Sequence, residues 1–177
     1  MYVDRNGNGG TTDDDYRGKN PRPQFLLGGG ANATYRGFNL AFTLRANLGN
    51  YAYNNARSQA FYDASSNGFA INRSRDILNT GFTTAQYYSD YYLENASFLR
   101  MQNATIGYNF GELVKKGTNL SLSLAVQNVF VITKYSGLDP ELLSFPPDQT
   151  VPNPTLGVDN SIYPRPRTFT VGLNLGI

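Results

Sequence analysis

The sequence predicts an all-β protein made of antiparallel strands, and three observations carry that reading. Polar and apolar residues alternate strictly from Asn119 to Val126 and again through the terminal RTFTVGLNLGI, the period of strands with one apolar face. Glycine and aromatic residues are abundant, with 18 Gly, 13 Tyr and 11 Phe in 177 residues, and only 16% of residues are charged. Aromatic rings suit strands, and glycine suits tight turns or close backbone approach. Finally, the connections between the alternating segments are by turns very short and very long.

Residues 1–23 are polar and rich in Gly, Asp and Pro, which predicts a loop. Within it, DRNGNGGTTDDD follows part of the calcium-loop pattern. Asp4, Asn6 and Asn8 take the first, third and fifth ligand positions, Gly9 the turn, and Asp15 the twelfth. Hard oxygen donors at alternate positions converge on Ca²⁺ when a glycine lets the chain curl. Asp15 stands where a longer Glu is usual, and an Asn/Gly/Asp-rich turn that binds nothing is the competing reading. From Phe25 the odd positions Phe25, Leu27, Ala31, Ala33 and Tyr35 are apolar, giving a strand over about 24–35. YRGF predicts a tight turn, after which the even positions Phe38, Leu40, Phe42, Leu44, Ala46 and Leu48 continue a hairpin over about 38–49.

Residues 50–95 hold no sustained period and predict a loop far longer than usual, which is commonly a functional one. Its QYYSDYYLEN places Tyr87, Tyr88, Tyr91 and Tyr92 beside Asp90 and Glu94. Such rings stack on sugars or peptide side chains, and equally form a membrane-interface girdle or pack within the loop. In ASFLRMQNATIGYNF, Leu99 and Met101 are odd but Ala104, Ile106, Tyr108 and Phe110 are even, so a bulge is expected near Gln102 and Asn103. GELVKKGT is a short turn before the strand at about 119–134, whose apolar face is Leu120, Leu122, Leu124 and Val126. A proline-rich loop over about 135–165 contains YPRPR, where Arg165 and Arg167 are candidate contacts for a partner's carboxylates. The last strand then puts Phe169, Val171, Leu173, Leu175 and Ile177 on one face.

Five strands with this rhythm of connections fit two architectures. A two-layer sandwich alternates because one face meets a core and the other meets water. A transmembrane barrel wall alternates because one face meets lipid, and such barrels have short periplasmic turns and long outer loops. In the barrel reading Leu120, Leu122, Leu124, Val126, Phe169, Val171, Leu173 and Leu175 face lipid, and Ser121, Ser123 and Gln127 face a polar lumen. No run approaches the ~18 apolar residues of a membrane helix. The N-terminus carries no charged start followed by an apolar stretch, so no secretory signal is expected there.

Composition also bounds the chemistry. Without Cys or His there is no disulfide frame, thiolate site, cysteine nucleophile or histidine base. No nucleophile-and-base or phosphate-loop motif is evident, so an enzyme is not expected. A net charge of +2 with scattered Lys and Arg excludes the basic patch of a nucleic-acid partner.

YLENASFLRMQNATIGYNF, LAVQNVFVITKYSGLDPE and YPRPRTFTVGLNLGI resemble the closing segments of the SusC/RagA family of TonB-dependent outer-membrane transporters. VDRNGNGGTTDDDYRGKNPRPQF followed by YRGFNLAF is similar to the segment that precedes them, so the likeness covers nearly the whole chain in the family's order. The resemblance implies a place in the bacterial outer membrane, as the last strands of a plugged barrel of about 22. Residues 1–23 would be an extracellular loop and 24–177 barrel wall. It also implies import of glycans or peptides, energy from a TonB complex, and a SusD-like lipoprotein over the outer mouth. Plug, TonB-contacting segment and signal peptide have no counterpart in this stretch. The family's barrels commonly end in an aromatic residue, whereas this sequence ends in Ile177. A non-transporting β-sheet module for interaction or glycan binding is the alternative.

Overall fold

The computed structural model describes residues 3–10, 15, 17–59, 78–80, 82, 86–111, 117–142 and 156–176. Most of the turn at 112–118, the centres of both long loops and Ile177 lie outside the described residues. The chain divides into two compact units, one holding Gln24–Leu48, Ser97–Lys134 and Pro164–Ile177, the other Met1–Pro23, Gly49–Ala96 and Tyr135–Tyr163.

The first unit is one antiparallel sheet. Its strands are β1 Phe25–Tyr35, β2 Phe38–Leu48, β5 Phe98–Gly111, β6 Asn119–Thr133 and β7 Thr168–Gly176, in the order β1-β2-β5-β6-β7. β1 and β2 turn through Arg36 and Gly37 with φ of 44° and 88°, the two left-handed residues that a hairpin's own twist requires. A Cβ on Gly37 would stand 2.9 Å from the Asn109 carbonyl oxygen, so the site accepts nothing larger. The expected bulge is present. The register of β5 shifts between Met101 and Asn103 against β6, and the partner register shifts between Thr43 and Leu44 in β2. Against β2, Gln102 is an extra residue of β5, and this bulge keeps Leu99 and Met101 on the face of Ala104 despite their odd spacing; against β6 the extra residue is in β6, where Asn128 and Val129 stand across from Gln102.

With that correction the alternation of every strand agrees. Cross-strand rows such as Ala33, Leu40, Ile106, Leu124 and Val171, or Tyr35, Phe38, Tyr108, Leu122 and Leu173, run the width of the sheet on one face. Leu120, Leu122, Leu124 and Val126 lie directly opposite Leu175, Leu173, Val171 and Phe169. All eight residues expected to share a face do so. That face is uncovered: Leu122, Phe169, Val171 and Leu173 are 42%, 65%, 72% and 71% exposed. The other face carries rows such as Gly30, Thr43, Asn103, Gln127 and Thr168. β1 and β7 are the two edges, so the sheet is not a closed barrel.

The second unit gathers what the sequence presents as loops, and it contains structure that periodicity does not reveal. β3 Tyr51–Tyr53 pairs with β4 Leu93–Asn95, and Tyr53 bridges Val158 in parallel. A single-turn helix, α1 Asn55–Gln59, starts where the Asn54 side chain accepts the Arg57 N–H at 2.9 Å, which caps it. Ser89 likewise caps a 3-10 turn at Asp90–Tyr92. Ala52, Ala96 and Tyr135 form a small buried cluster against Leu142. Three-residue strands cannot persist alone, so polar bonds between side chains complete the unit, of which the one from Tyr135 to Asp159 is buried. Glu94 accepts from Ser136 N and Oγ at 2.8 and 2.7 Å and pairs with Arg57 at 3.1 Å, while Tyr135 donates to Asp159 at 2.6 Å. Among the described residues no helix is long and apolar enough to cross a membrane.

Candidate functional site

The sheet's polar face acquires charge near the bulge. Arg45 and Arg100 are direct partners across β2 and β5, and both guanidinium carbons lie 5.5 Å from the centre of the Phe98 ring. Like charges directly opposite each other disfavour pairing, and a ring face offsets part of that cost. Arg100 is only 2% exposed. Its guanidinium donates to the Asn128 side-chain oxygen at 2.7 Å, and the Asn128 amide donates to the Arg165 carbonyl at 2.7 Å. Arg167 Nε donates to the Asn128 carbonyl at 3.2 Å. Asn128 has φ 52°, a left-handed conformation that Asn tolerates better than most residues. One asparagine thus bonds to three arginine residues, two of which, Arg100 and Arg165, line a pocket of about 360 Å³. Arg100, Asn103, Gln127, Arg165 and Thr168 are among its lining. Sequence reading singles out Arg165 but misses Arg45, Arg100 and Asn128. The only signal was two arginines set among neutral strand residues, and their meeting depends on register.

The tyrosines divide by exposure. Tyr92 is fully buried, and its ring lies 5.1 Å from that of Tyr91 and 6.4 Å from that of Tyr53, edge to face. It packs the unit and offers no surface to a ligand. Tyr87 is partly buried, whereas Tyr88 and Tyr91 are 71% and 41% exposed. Tyr88 stacks on Tyr53 at 6.3 Å, and Arg57 lies 5.2 Å over Tyr91. The exposed members therefore sit on rings that fix them.

In the N-terminal loop Asp4 accepts the backbone N–H groups of Gly7 at 2.7 Å and Gly9 at 2.9 Å. Asn6 and Asn8 each accept the N–H two residues on, from Asn8 at 3.0 Å and Gly10 at 3.1 Å. Asp15 folds back to accept Arg5 N at 2.8 Å and Asn6 N at 3.3 Å. All four expected donors thus belong to one hydrogen-bonded curl. Among the described residues no three His, Cys, Asp or Glu side chains come together as a metal-holding group.

Comparison with known proteins agrees with the sheet. The chain is 40% identical to the TonB-dependent receptor SusC of Bacteroides thetaiotaomicron, over 99% of this chain and 17% of that protein. It is 27% identical to the TonB-dependent receptor P3 of Formosa agariphila, over 99% of this chain and 18% of that one. The chain therefore spans under a fifth of the length of these curated relatives. Among solved structures, the RagAB peptide importer in its closed-closed state superposes with a TM-score of 0.72 at 22% identity, covering 99% of this chain and 20% of the other. The open-open state gives 0.69 at 21% identity over 90% of this chain and 18% of the other. No protein-family model matches.

Proposed function

From the premise that this chain is a segment of a TonB-dependent receptor of the SusC/RagA family, we propose that it forms part of the wall of an outer-membrane transporter that imports oligomeric nutrients, glycans or peptides. The observation that carries the reading is the pairing of opposite faces on one sheet. Leu, Val, Phe and Tyr rows cross all five strands on one side, and amide, hydroxyl, glycine and arginine residues predominate on the other, with Leu26, Ala41, Phe98, Ala125 and Val131 among them. An apolar band outside and a polar interior is what a barrel in lipid requires. The edges of β1 and β7 pair with neighbouring strands of the complete barrel, since open edges in lipid leave backbone groups unbonded at several kcal/mol each. A plug and a TonB complex belong to the rest of such a receptor. The segments that hold Tyr88, Tyr91 and residues 1–23 form outer loops, and a SusD-like lipoprotein is the partner they meet. Proteoliposomes holding the complete receptor test the wall directly. Lipid-attached quenchers should quench a fluorophore placed at Leu173 and leave one at Asn174 unaffected, and equal quenching would reject the facing.

The curl at Asp4, Asn6, Asn8 and Asp15 is proposed as a weak calcium site. Its side-chain oxygens are held close by their own backbone bonds, but with only two carboxylates its affinity belongs with the weak extracellular sites, Kd about 10⁻⁴–10⁻³ M. Titration calorimetry with millimolar Ca²⁺ should give a heat that Asp4→Ala removes. No heat from the unaltered receptor would leave a turn and nothing more.

A further inference from the structure

We infer that the turn at Arg36 and Gly37, with the cleft beside it, holds the phosphate of an anionic phospholipid in the periplasmic leaflet, a lipid site on the outside of the wall. The inference rests on the barrel-wall reading and goes beyond it. Its first support is position. β1 and β2 are each 11 residues long, the length that crosses a hydrocarbon core when tilted, so the short turn between them emerges at headgroup depth. The end row of the apolar face there is Tyr35, Phe38, Tyr108, Leu122 and Leu173. The Phe38 and Tyr108 rings lie 4.5 Å apart and those of Tyr108 and Phe110 4.7 Å apart, and Tyr35, Phe38 and Phe110 are exposed. Aromatic rings gather at this depth of a membrane. The Arg36 guanidinium carbon lies 5.2 Å from the centre of the Tyr35 ring, which puts its charge on the lipid side of the wall at the level of the phosphates.

The second support is the backbone. Arg36 has φ 44°, in the left-handed region where a hairpin turn favours Asn, Asp or Gly and where a bulky residue is strained. Arginine at this position therefore gives up turn stability, and strain of this kind collects at ligand sites. Within the chain its guanidinium meets the Tyr35 ring, and among the described residues no acid pairs with it. The third support is the cleft. A cavity of about 550 Å³ runs from this turn to the start of β6, with Arg36, Asn109, Phe110, Thr118 and Asn119 in its lining. Arginine's fork takes two oxygens of one phosphate together, and amide and hydroxyl groups beside it supply further donors. Asn109 accepts the Gly111 N–H at 2.9 Å, which orients its amide. None of the described lining residues is acidic, so the amine of a zwitterionic headgroup finds no carboxylate among them and a net anionic headgroup fits better. In sequence, the neighbouring β5–β6 connection adds Lys115 and Lys116 against one acid, Glu112.

Native mass spectrometry of the complete receptor tests this, with phosphatidylglycerol and phosphatidylcholine of equal acyl chains as probes. At the tightest site phosphatidylglycerol should bind about fivefold more strongly, the worth of one arginine at an anionic membrane surface. Asparagine suits the left-handed turn better than arginine does, so Arg36→Asn should melt no lower than the parent in phosphatidylcholine and yet bind the two lipids equally. Arg36→Gln, neutral and close in size, should lose the preference as well. Arg22→Asn removes one positive charge from the segment before β1 and should leave the preference intact. Equal binding of the two lipids by the parent would overturn the inference. So would a preference that survives both Arg36 variants, or one that Arg22→Asn abolishes. Sedimentation of the receptor with the outer-membrane fraction is scored in the same preparation. A receptor absent from that fraction refutes the wall reading, whereas a membrane-inserted receptor without headgroup preference refutes this inference alone.

Discussion

Tyr135 shows what a single residue contributes to the loop unit. Burial foremost, then its hydrogen bond to Asp159 and the charges of Asp159 and Glu94, push the phenol well above its ordinary value of 10.0. A raised value in the folded state means that the folded chain keeps the proton longer than the unfolded chain. Stability from this site is therefore full below pH 10 and falls as pH rises above it. Spectroscopic titration should show a tyrosine that ionises only well above the ordinary value of 10.0. Tyr135→Phe should remove that late phase and cost about 1–3 kcal/mol, because Asp159 loses a buried donor; thermal melts that coincide with the parent would contradict the role. Asn128 is the sheet's counterpart. Asn128→Ala keeps a left-handed backbone without its side-chain bonds, so it should cost about 1–3 kcal/mol and loosen Arg100. Asn128→Gly relieves the backbone strain but not the lost bonds, and should recover only part. Neither residue is legible as important in the sequence, because Tyr135 meets Asp159 and Asn128 meets Arg100 only through tertiary contact.

At the scale of elements, alternation makes the sheet legible in the sequence. A strand that faces two different media must change character at every residue, so each boundary falls within a residue or two of expectation, and the parity switch in β5 marks Gln102 as the bulge. β3, β4 and α1 escape the same reading because three to five residues are too few for a period, and their bonds come from distant Glu94, Ser136 and Val158. Arg165 was visible as a candidate. The site around it was not, since Arg45 and Arg100 meet only by register. The facing of β7 gives a sharp prediction from adjacent residues. Val171 is on the apolar face opposite Leu124 and Thr170 on the polar face opposite Ala125. In the complete barrel in bilayers, Val171→Arg should cost about 2–4 kcal/mol and Thr170→Arg about 1 kcal/mol or less. Urea titrations giving equal losses would reverse or abolish the assigned facing.

For the whole molecule, the central claim is that these strands are a section of wall and not a domain with a core of its own. Among the described residues the sheet has nothing packed on its apolar rows within its own unit, and its exposed residues include Leu27, Tyr35, Phe38, Leu40, Ile106, Leu122, Phe169, Val171 and Leu173. An apolar patch of that breadth is an interaction surface or an aggregation hazard in water, and bacterial single-chain barrels close only from about eight strands upward. Both edges must also find partners, as must any long, flat, apolar edge strand. A soluble sandwich or free-standing binding module would instead cover this face with a second layer and melt as a unit. The most direct measurement is light scattering with circular dichroism on the isolated 177-residue chain in detergent-free buffer. The wall reading predicts aggregates or an unfolded chain, with folded strands appearing only within the complete barrel in lipid or detergent. A monodisperse monomer with a cooperative thermal transition would contradict it.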